Sequence, residues 1–583
     1  MEKSWQNLGY QVNDLIELTG SMLSIDQVSK VSKGGQVTVS SQAIERVKSA
    51  RRSVEESVSS GEVIYGVNTG FGNNADIVVD NLEATERLQK NLLLTHAVCI
   101  GAPLSLEVVR AMMVIRVNTL LRGHSGIRWV LLARLIEMLN EGMTPIIPEK
   151  GSVGASGDLA PLSHMALPLI GAGEVLYKGE RYASAEALTM LPSVHNHSNQ
   201  QLFFKLSYKE GLALINGTTL MTAYGVLAID RLSQLIDLAD VNGALALEAI
   251  CGRSAAFRAD VHQLRPHPGQ IQSALHIRGL VAGSTMVDIE ASHIPTSKGS
   301  WRIERRANQL MFSGGKSRRP QDSYSIRCIP QVHGALRDVV SQAQRVIDIE
   351  LNSVTDNPLL FPELPVEERF ASAGHFHGMP VALALSYLKV AIPSLASISE
   401  RRINKLVDPA TNDGLPAFLV TNLEGTDSGF MIIQYTAASL VNDLASRAHP
   451  TTVYSIPTSA NTEDHVSMGA NEGRHVYEML DDLSRVLALE LMTNTQAMEL
   501  RYKILQGQCL TEYALDEPEE IKAHRALMVS KAYEPSPHSK RVLEVVRSLT
   551  CFLEKDRELS PEINRVCDVV MNDPQQFIQP LNT

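Results

Sequence analysis

The sequence predicts a mainly α-helical protein, in which a large antiparallel helical bundle follows a mixed N-terminal region with a glycine-rich loop. Two observations support this prediction. Beyond residue 205, apolar residues recur at helical spacing over long stretches, whereas strand signals are few and short. The chain has 583 residues, 44% hydrophobic and 20% charged, as in a globular protein with two or three structural regions. We expect these regions to span 1–205, 206–505 and 506–583, the last being an appended helical tail.

The N-terminal region is predicted to contain short mixed elements and one amphipathic helix. Ser40 or Ser41 is placed to cap this helix. Four aliphatic residues fall on one of its faces: Ile44, Val47, Val54 and Val58. Residues 63–72 are rich in Gly, Asn, Thr and Tyr, a composition that suits a loop. A further helical pattern runs from about 83 to 142, before the glycine-rich loop.

Two apolar stripes identify the principal helices of the bundle. The first stops at the helix breaker Asn357-Pro358, and its residues are Val332, Leu336, Val339, Val340, Ala343 and Ile347. The second consists of Val476, Leu480, Leu483, Leu487 and Leu491. Between the N-terminal region and the first stripe, residues 253–321 are polar and rich in Arg, His, Ser and Gly. We expect that stretch to be an exposed excursion from the bundle.

Charge and cysteine usage exclude several classes of protein. The net charge of −11 argues against a nucleic-acid partner, because phosphate binding needs a basic surface. The six cysteines are scattered without a Cys-x-x-Cys pair, which predicts reduced, buried thiols. The uncharged run 211–229 could span a bilayer by length, but its polar residues and glycines favour a buried core helix. Since the N-terminus lacks the apolar stretch of a signal peptide, we expect a cytoplasmic protein without membrane partners.

The run 151–164 is the most informative stretch of the chain, and it reads Gly-Ser-Val-Gly-Ala-Ser-Gly-Asp-Leu-Ala-Pro-Leu-Ser-His. Its glycines allow sharp bends that bring a peptide nitrogen close to a preceding carbonyl carbon. If the Gly157 nitrogen attacks the Ala155 carbonyl and two waters leave, one with the Ser156 hydroxyl, the product is a methylidene-imidazolone (MIO) ring. This ring is a strong electrophile of a kind that no standard side chain supplies. The alternative is an ordinary glycine-rich surface loop.

Four further blocks of polar and small residues accompany this run: Tyr65-Gly66-Val67-Asn68-Thr69-Gly70-Phe71-Gly72, Leu214-Ile215-Asn216-Gly217-Thr218, Gln321-Asp322-Ser323-Tyr324-Ser325-Ile326-Arg327-Cys328 and Gly374-His375-Phe376-His377-Gly378. Together the blocks closely resemble those of the aromatic amino acid ammonia-lyase and aminomutase family, over roughly 35–505. The resemblance implies a helical fold with the prosthetic-group loop near several helix N-termini. It also implies a homotetramer with shared active sites, and MIO from Ala155-Ser156-Gly157 with no dissociable cofactor.

The resemblance further implies roles for individual side chains. Tyr65 is the candidate base for the β-proton of an amino acid substrate, although a phenol of pKa about 10 must first be deprotonated by its surroundings. Arg327 is the candidate partner of the substrate carboxylate, because its planar guanidinium can hold both oxygens. Four more candidates surround the ring and the bound substrate: Asn216, Gln321, Tyr324 and Phe376.

Two more blocks favour L-histidine as the substrate, with trans-urocanate and ammonia as products. In Leu92-Leu93-Leu94-Thr95-His96-Ala97, His96 resembles the Ser-His of the family's histidine enzymes, although Thr95 replaces the serine. Glu463 opens a Glu-Asp-His triplet where members acting on other substrates typically carry Gln-Asp. A carboxylate accepts a hydrogen bond from an imidazole N–H, whereas against a phenyl ring it would be buried without a partner.

Several alternatives stay open. A phenylalanine or tyrosine ammonia-lyase and an aminomutase of the same family would use the same loop. A scaffold without catalysis needs none of the candidate residues, and a phosphate-binding loop would carry Gly-Lys-Ser/Thr. His375 and His377 lack the spacing and third ligand of a metal site, so no metal is expected.

Overall fold

The computed structural model describes residues 15–70, 76–79, 81–195, 201–289, 321–421, 425–506 and 530–578. They form two compact units. The first comprises Met1–Asp230, Gln342–Tyr387 and Pro450–Tyr477, and the second comprises Arg231–Ser341, Leu388–His449 and Glu478–Thr583. Each unit is thus assembled from three separate stretches of chain, and the three sequential regions expected from the sequence stay a prediction.

Helices account for most of the described chain, which confirms the predicted fold class. In chain order, the α-helices are α1 (Ile25–Ser32), α2 (Ser41–Ser59), α3 (Leu82–His96), α4 (Leu106–Leu120), α5 (Trp129–Asn140), α6 (Leu159–Ala166), α7 (Ser184–Ala187), α8 (Pro192–His195), α9 (Glu210–Ile215), α10 (Thr219–Ala249), α11 (Ala259–Gln263), α12 (Pro268–Leu280), α13 (Tyr324–Arg327), α14 (Ile329–Leu351), α15 (Met379–Val407), α16 (Met431–Arg447), α17 (Gly469–Leu505), α18 (Pro537–Leu549), α19 (Ser560–Asn572) and α20 (Gln575–Ile578).

The strands of the described chain are short, and all of them belong to the first unit. They are β1 (Ile16–Leu18), β2 (Val37–Val39), β3 (Ile100–Pro103), β4 (Thr144–Pro145), β5 (Pro148–Lys150), β6 (Glu174–Tyr177), β7 (Glu180–Ala183), β8 (Leu359–Leu360) and β9 (Phe370–Ala371). β1 pairs in parallel with β2, while β3–β5, β4–β6–β7 and β8–β9 are antiparallel. The mixed character predicted for the N-terminal region is therefore confirmed.

Helix α2 forms where the sequence predicts it. The hydroxyl of Ser40 accepts a hydrogen bond from the Ala43 amide (3.3 Å), which caps the helix. Val47 and Val54 are buried on its inner face. The predicted helical stretch 83–142 is instead three helices, α3 to α5, with β3 between the first two.

The two apolar stripes lie on the long helices α14 and α17. All five leucine and valine positions of the second stripe are completely buried. On α14, burial extends from Leu336 to Ile347, but the helix ends at Leu351, before the breaker at Asn357. Among the described helices, α15 is the one long and apolar enough to cross a membrane, yet most of that length is buried inside the protein, as in a core helix.

Three expectations need correction. The run 211–229 is buried but is not one helix, because residues 216–218 separate α9 from α10. The stretch 253–321 is only partly an exposed excursion: α12 lies within it and is held by the Arg337 guanidinium, which donates to Ser273 Oγ (2.9 Å). Residues 290–320 of that stretch lie outside the described chain. Among the described cysteines, Cys551 is exposed rather than buried.

The C-terminal residues contact buried polar groups of the second unit. The Ser536 amide donates to the buried carboxylate of Glu248 on α10 (2.7 Å). On α17, the side chain of Gln496 donates to the carbonyl of Leu553 (3.0 Å). Because these partners are buried polar groups, removing the tail would cost each of them a hydrogen bond.

Candidate active site

The glycine-rich run connects β5 to α6 through a tightly bent backbone. Gly154 and Gly157 have φ angles of +69° and +74°, values that glycine adopts without strain. A methyl group on Gly157 would lie 2.6 Å from the Gly217 Cα and closer still to the Gly217 carbonyl. The backbone around Ala155-Ser156-Gly157 is therefore pressed against residues 216–218, and the Asp158 amide donates to the Gly217 carbonyl (2.7 Å).

Asp158 connects this bend to the start of α10 by side-chain hydrogen bonds. Its side chain is completely buried and accepts from the amides of Leu220 (2.8 Å) and Met221 (3.1 Å) and from the hydroxyl of Ser152 (2.8 Å). Burial raises the pKa of Asp158 to about 6, against the lowering effect of these hydrogen bonds. This role of Asp158 is not apparent from the sequence, although the residue directly follows the Ala-Ser-Gly tripeptide.

Four helix N-termini of the first unit meet at this loop. α6 follows Asp158 directly, and α10 binds the Asp158 carboxylate. Just before α15, the Gly378 amide donates to the Gly154 carbonyl (3.3 Å), and just before α17, the Ser467 hydroxyl donates to the same oxygen (3.0 Å). Their aligned peptide dipoles place partial positive charge around residues 154–157, as the resemblance implies.

Asn216 is the polar residue at the break between α9 and α10. Its amide nitrogen donates to the Ser156 carbonyl (2.9 Å), so it contacts the tripeptide directly. Its amide oxygen is buried and has no hydrogen-bond partner among the described residues. A buried acceptor of this kind, on a residue that contacts the tripeptide, is available to a donor on a bound molecule.

Glu463 lies on the other side of Ser156. One carboxylate oxygen accepts from the Ser156 hydroxyl (2.5 Å), and the other accepts from the Thr458 hydroxyl (2.8 Å). The backbones of Thr458 and Glu463 also bond to each other in both directions. Thr458, which the sequence analysis did not single out, therefore fixes the orientation of the Glu463 carboxylate.

His96 and Phe376 belong to the same unit as the tripeptide. His96 is the last residue of α3; burial lowers the pKa of its imidazole, while the nearby Glu463 carboxylate acts to raise it. Phe376 is half-buried in the turn that leads to Gly378, whose amide contacts the loop. The structure thus brings Asn216 and Glu463 each into direct contact with Ser156, with His96 close enough to Glu463 to interact electrostatically.

Tyr65 is half-buried at the start of the turn 65–68. The completely buried side chain of Gln89 ties this turn to α9: its amide nitrogen donates to the Gly66 carbonyl (3.2 Å), and its oxygen accepts from the Gly211 amide (2.8 Å). Gln89 was not recognised from the sequence, because an isolated glutamine in a helix carries no signal of such a contact.

The remaining candidates, Gln321, Tyr324 and Arg327, belong to the second unit. The Arg327 guanidinium lies 4.8 Å from the centroid of the Tyr324 ring, and its Nε donates to the Asp322 carbonyl (3.3 Å). Tyr324 is 72% exposed. Both side chains are presented on α13 at the surface of their unit, and the assigned roles of all the candidates stay predictions.

One group of the described residues, Asp237, Asp240 and His276, has the composition of a metal site. However, Arg337 already supplies a cation there, since its guanidinium donates to both aspartates at 2.6 Å. An ion pair network therefore explains this group without a metal ion.

Comparison with known proteins covers nearly the whole chain. Residues 23–520 match the family described as aromatic amino acid lyase. A histidine ammonia-lyase of Caldanaerobacter subterraneus subsp. tengcongensis is 42% identical over 558 residues, which are 95% of this chain and 96% of the relative. A histidine ammonia-lyase of Chloroflexus aurantiacus is 46% identical over 565 residues, 96% of this chain and 97% of the relative. The crystal structure of the tyrosine aminomutase from Streptomyces globisporus superimposes with a TM-score of 0.81 and 33% identity, covering 97% of this chain and 98% of that one. Because these matches extend over both units, the protein belongs to the aromatic amino acid lyase family and is a carbon–nitrogen ammonia-lyase.

Proposed function

We propose that this enzyme eliminates ammonia from L-histidine to give trans-urocanate, with an MIO ring formed from Ala155-Ser156-Gly157. The observation that carries the proposal is the contact between the Glu463 carboxylate and the Ser156 hydroxyl (2.5 Å), because a carboxylate beside the reacting group can accept a hydrogen bond from an imidazole N–H. The two relatives named histidine ammonia-lyase, at 42% and 46% identity, support the same substrate.

The residues around the tripeptide fit the ring. The left-handed bend at Gly157 and its close approach to Gly217 leave no room for a side chain, and they hold the Gly157 peptide in the compact shape that cyclisation requires. The Asn216 amide nitrogen donates to the Ser156 carbonyl (2.9 Å), while its buried amide oxygen finds no hydrogen-bond partner within the described part of the chain. Once formed, the ring supplies an electrophile that captures the substrate amine and makes it a better leaving group.

Recognition of the imidazole is assigned to Glu463 and His96. With one oxygen tied to Thr458 (2.8 Å), the Glu463 carboxylate has its other oxygen directed at the reacting group. That oxygen can accept a hydrogen bond from an imidazole N–H, which phenylalanine does not possess. His96 stays mainly uncharged near neutral pH, since burial lowers its pKa, and an uncharged ring can donate or accept as the substrate demands.

Proton removal and carboxylate binding are assigned to Tyr65 and Arg327. Tyr65 takes the β-proton as a phenolate, and Gln89 steadies the turn that carries it through the Gly66 carbonyl (3.2 Å). The Arg327 guanidinium binds the substrate carboxylate with two parallel hydrogen bonds, assisted by Gln321. The aromatic ring of Tyr324 packs on that guanidinium and restricts its rotation (4.8 Å).

We also propose a homotetramer in which each active site takes residues from more than one copy. Large apolar side chains lie exposed on α14 and α15 of the first unit, where Ile349, Leu383 and Tyr387 line an open groove. Clusters of this kind mark interfaces between proteins. Light scattering of the purified protein tests the stoichiometry.

The function is tested by an ultraviolet assay with L-histidine, L-phenylalanine and L-tyrosine in parallel. We expect urocanate from histidine and no conjugated acrylate from the other two. Cinnamate or coumarate would overturn the assignment of Glu463 while keeping the chemistry. No absorbance with any substrate, together with a β-amino acid detected by chromatography, would identify an aminomutase instead, the activity named for the structure at TM-score 0.81.

A further inference from the structure

Polar contacts with other residues of the second unit hold the turn that carries Tyr324 and Arg327. The Asp322 carboxylate accepts from the Arg253 amide (2.7 Å), and Ile326 is buried. The carbonyl of Ser325, which lies between the two candidate site residues, accepts a hydrogen bond from the Arg402 guanidinium (3.3 Å). A movement of Arg402 would therefore be transmitted to this turn.

Arg402 itself is fixed by groups that are completely buried. It forms a two-pronged ion pair with Glu490, and both side chains have no exposed surface. Its second terminal nitrogen also donates to Ser399 Oγ (3.0 Å). Glu490 is held in turn by the amide of Asn242 (3.3 Å), which leaves the ion pair no freedom to rotate.

A second series of buried charges reaches Arg402 from the opposite side. His333 lies 3.4 Å from the guanidinium through one ring nitrogen, and its other ring nitrogen bonds to Asp240 (2.7 Å). Asp240 is completely buried and also accepts from Arg337 (2.6 Å). Five ionisable groups from α10, α14, α15 and α17 are thus linked to the Ser325 carbonyl through Arg402. They are Asp240, His333, Arg337, Arg402 itself and Glu490.

Stability does not explain this arrangement, because a buried ion pair gains little over an apolar pair of the same volume. What it supplies is a fixed geometry, since a planar guanidinium bonded at both ends has one orientation. We propose that Arg402 is a positioning residue, which acts through the Ser325 carbonyl to set the Tyr324–Arg327 turn for binding the substrate carboxylate. This proposal rests on the proposed function of Arg327.

The test is the double substitution Arg402→Met with Glu490→Gln in the full-length protein. Replacing Arg402 alone would leave the Glu490 carboxylate buried and unpaired, and the protein could simply unfold. The double variant removes both charges at nearly constant volume, so we expect it to fold. Lys405→Met with Asp413→Asn is the matched control, because it removes another buried ion pair (3.5 Å), whose amine on α15 donates to the Thr411 carbonyl (2.6 Å), away from the turn.

The measurements are the KM for L-histidine and the inhibition constant of histamine, which lacks the carboxylate. In the double variant we expect the KM for histidine to rise about tenfold or more, as for the loss of a well-placed charged hydrogen bond. Histamine inhibition should change less than about twofold, and Lys405→Met with Asp413→Asn should leave both values close to those of wild type. Equal losses for both ligands, or an unchanged histidine KM, would overturn the positioning role. Absence of histidine turnover in the wild type would instead refute the proposed function.

Discussion

Ring formation should depend on the close approach of Gly157 to Gly217, and replacing Gly157 with alanine tests this directly. The first unit offers a matched control in Gly179, at the turn between β6 and β7. Both glycines have left-handed backbones, with φ of +74° and +84°. They differ in their surroundings: a methyl on Gly179 meets nothing within 4 Å, whereas a methyl on Gly157 lies 2.6 Å or less from three backbone atoms of Gly217.

The expected costs follow from that difference. A left-handed alanine costs about 1–2 kcal/mol relative to glycine, and both variants bear this cost. The overlap with Gly217 adds roughly 1–3 kcal/mol in Gly157→Ala, because backbone atoms cannot move aside like the end of a flexible side chain. The strain is relieved by moving the two backbone segments apart, and that movement takes the Gly157 nitrogen away from the Ala155 carbonyl.

Intact mass and urea unfolding measure the two effects separately. We expect the wild type and Gly179→Ala to be lighter than the encoded chain by two water molecules, and Gly157→Ala to have the encoded mass. In urea, Gly157→Ala should unfold at a lower midpoint than Gly179→Ala. If Gly157→Ala loses two waters and matches the stability of Gly179→Ala, the contact with Gly217 has no part in ring formation.

Three further predictions address individual side chains. Ser156→Ala should abolish turnover, keep the encoded mass and retain the wild-type circular dichroism spectrum; near-normal activity would contradict the MIO mechanism. Glu463→Gln should reduce kcat/KM for histidine about a hundredfold, since imidazole needs the carboxylate, while the inhibition constant of phenylalanine should change little, and equal losses for both ligands would refute that role. Burial raises the pKa of Asp158 from 3.8 to about 6, so the stability that its proton contributes is fully present below pH about 4 and lost as the pH rises past about 6. Between these limits the wild type should lose about 2 kcal/mol more unfolding free energy than Asp158→Asn, and parallel pH profiles in urea would contradict this.

The sequence predicts the helical fold because its signals are local. The stripe on α17 and the cap at Ser40 each depend on residues within a few turns of one another, and the structure confirms both. The tripeptide 155–157 is likewise recognisable as a unit, because its chemistry involves three consecutive residues. Contacts of the site are different: the hydrogen bond between Ser156 and Glu463 joins positions 307 residues apart, and only the resemblance to a family placed them in one site.

One physical reason explains why several residues of the structure could not be recognised from the sequence. Gln89, Thr458 and Arg402 are ordinary polar residues whose importance comes from what they hold, namely the Gly66 carbonyl, the Glu463 carboxylate and the Ser325 carbonyl. No residue type or spacing predicts which backbone carbonyl or carboxylate such a side chain will bind. Such residues become visible only when burial is known, because a polar group removed from water must find a partner.

The contact between Ser156 and Glu463 also connects ring formation with substrate choice. The hydroxyl that leaves Ser156 as water in the proposed maturation is the donor to one Glu463 oxygen (2.5 Å), while Thr458 retains the other (2.8 Å). Loss of that hydroxyl therefore leaves one oriented carboxylate oxygen without its donor. An acceptor in that condition favours a substrate with an N–H to offer, because an apolar ring would leave it unsatisfied at a cost of about 1–3 kcal/mol or more. The same chemical step that creates the electrophile thus prepares the site for imidazole.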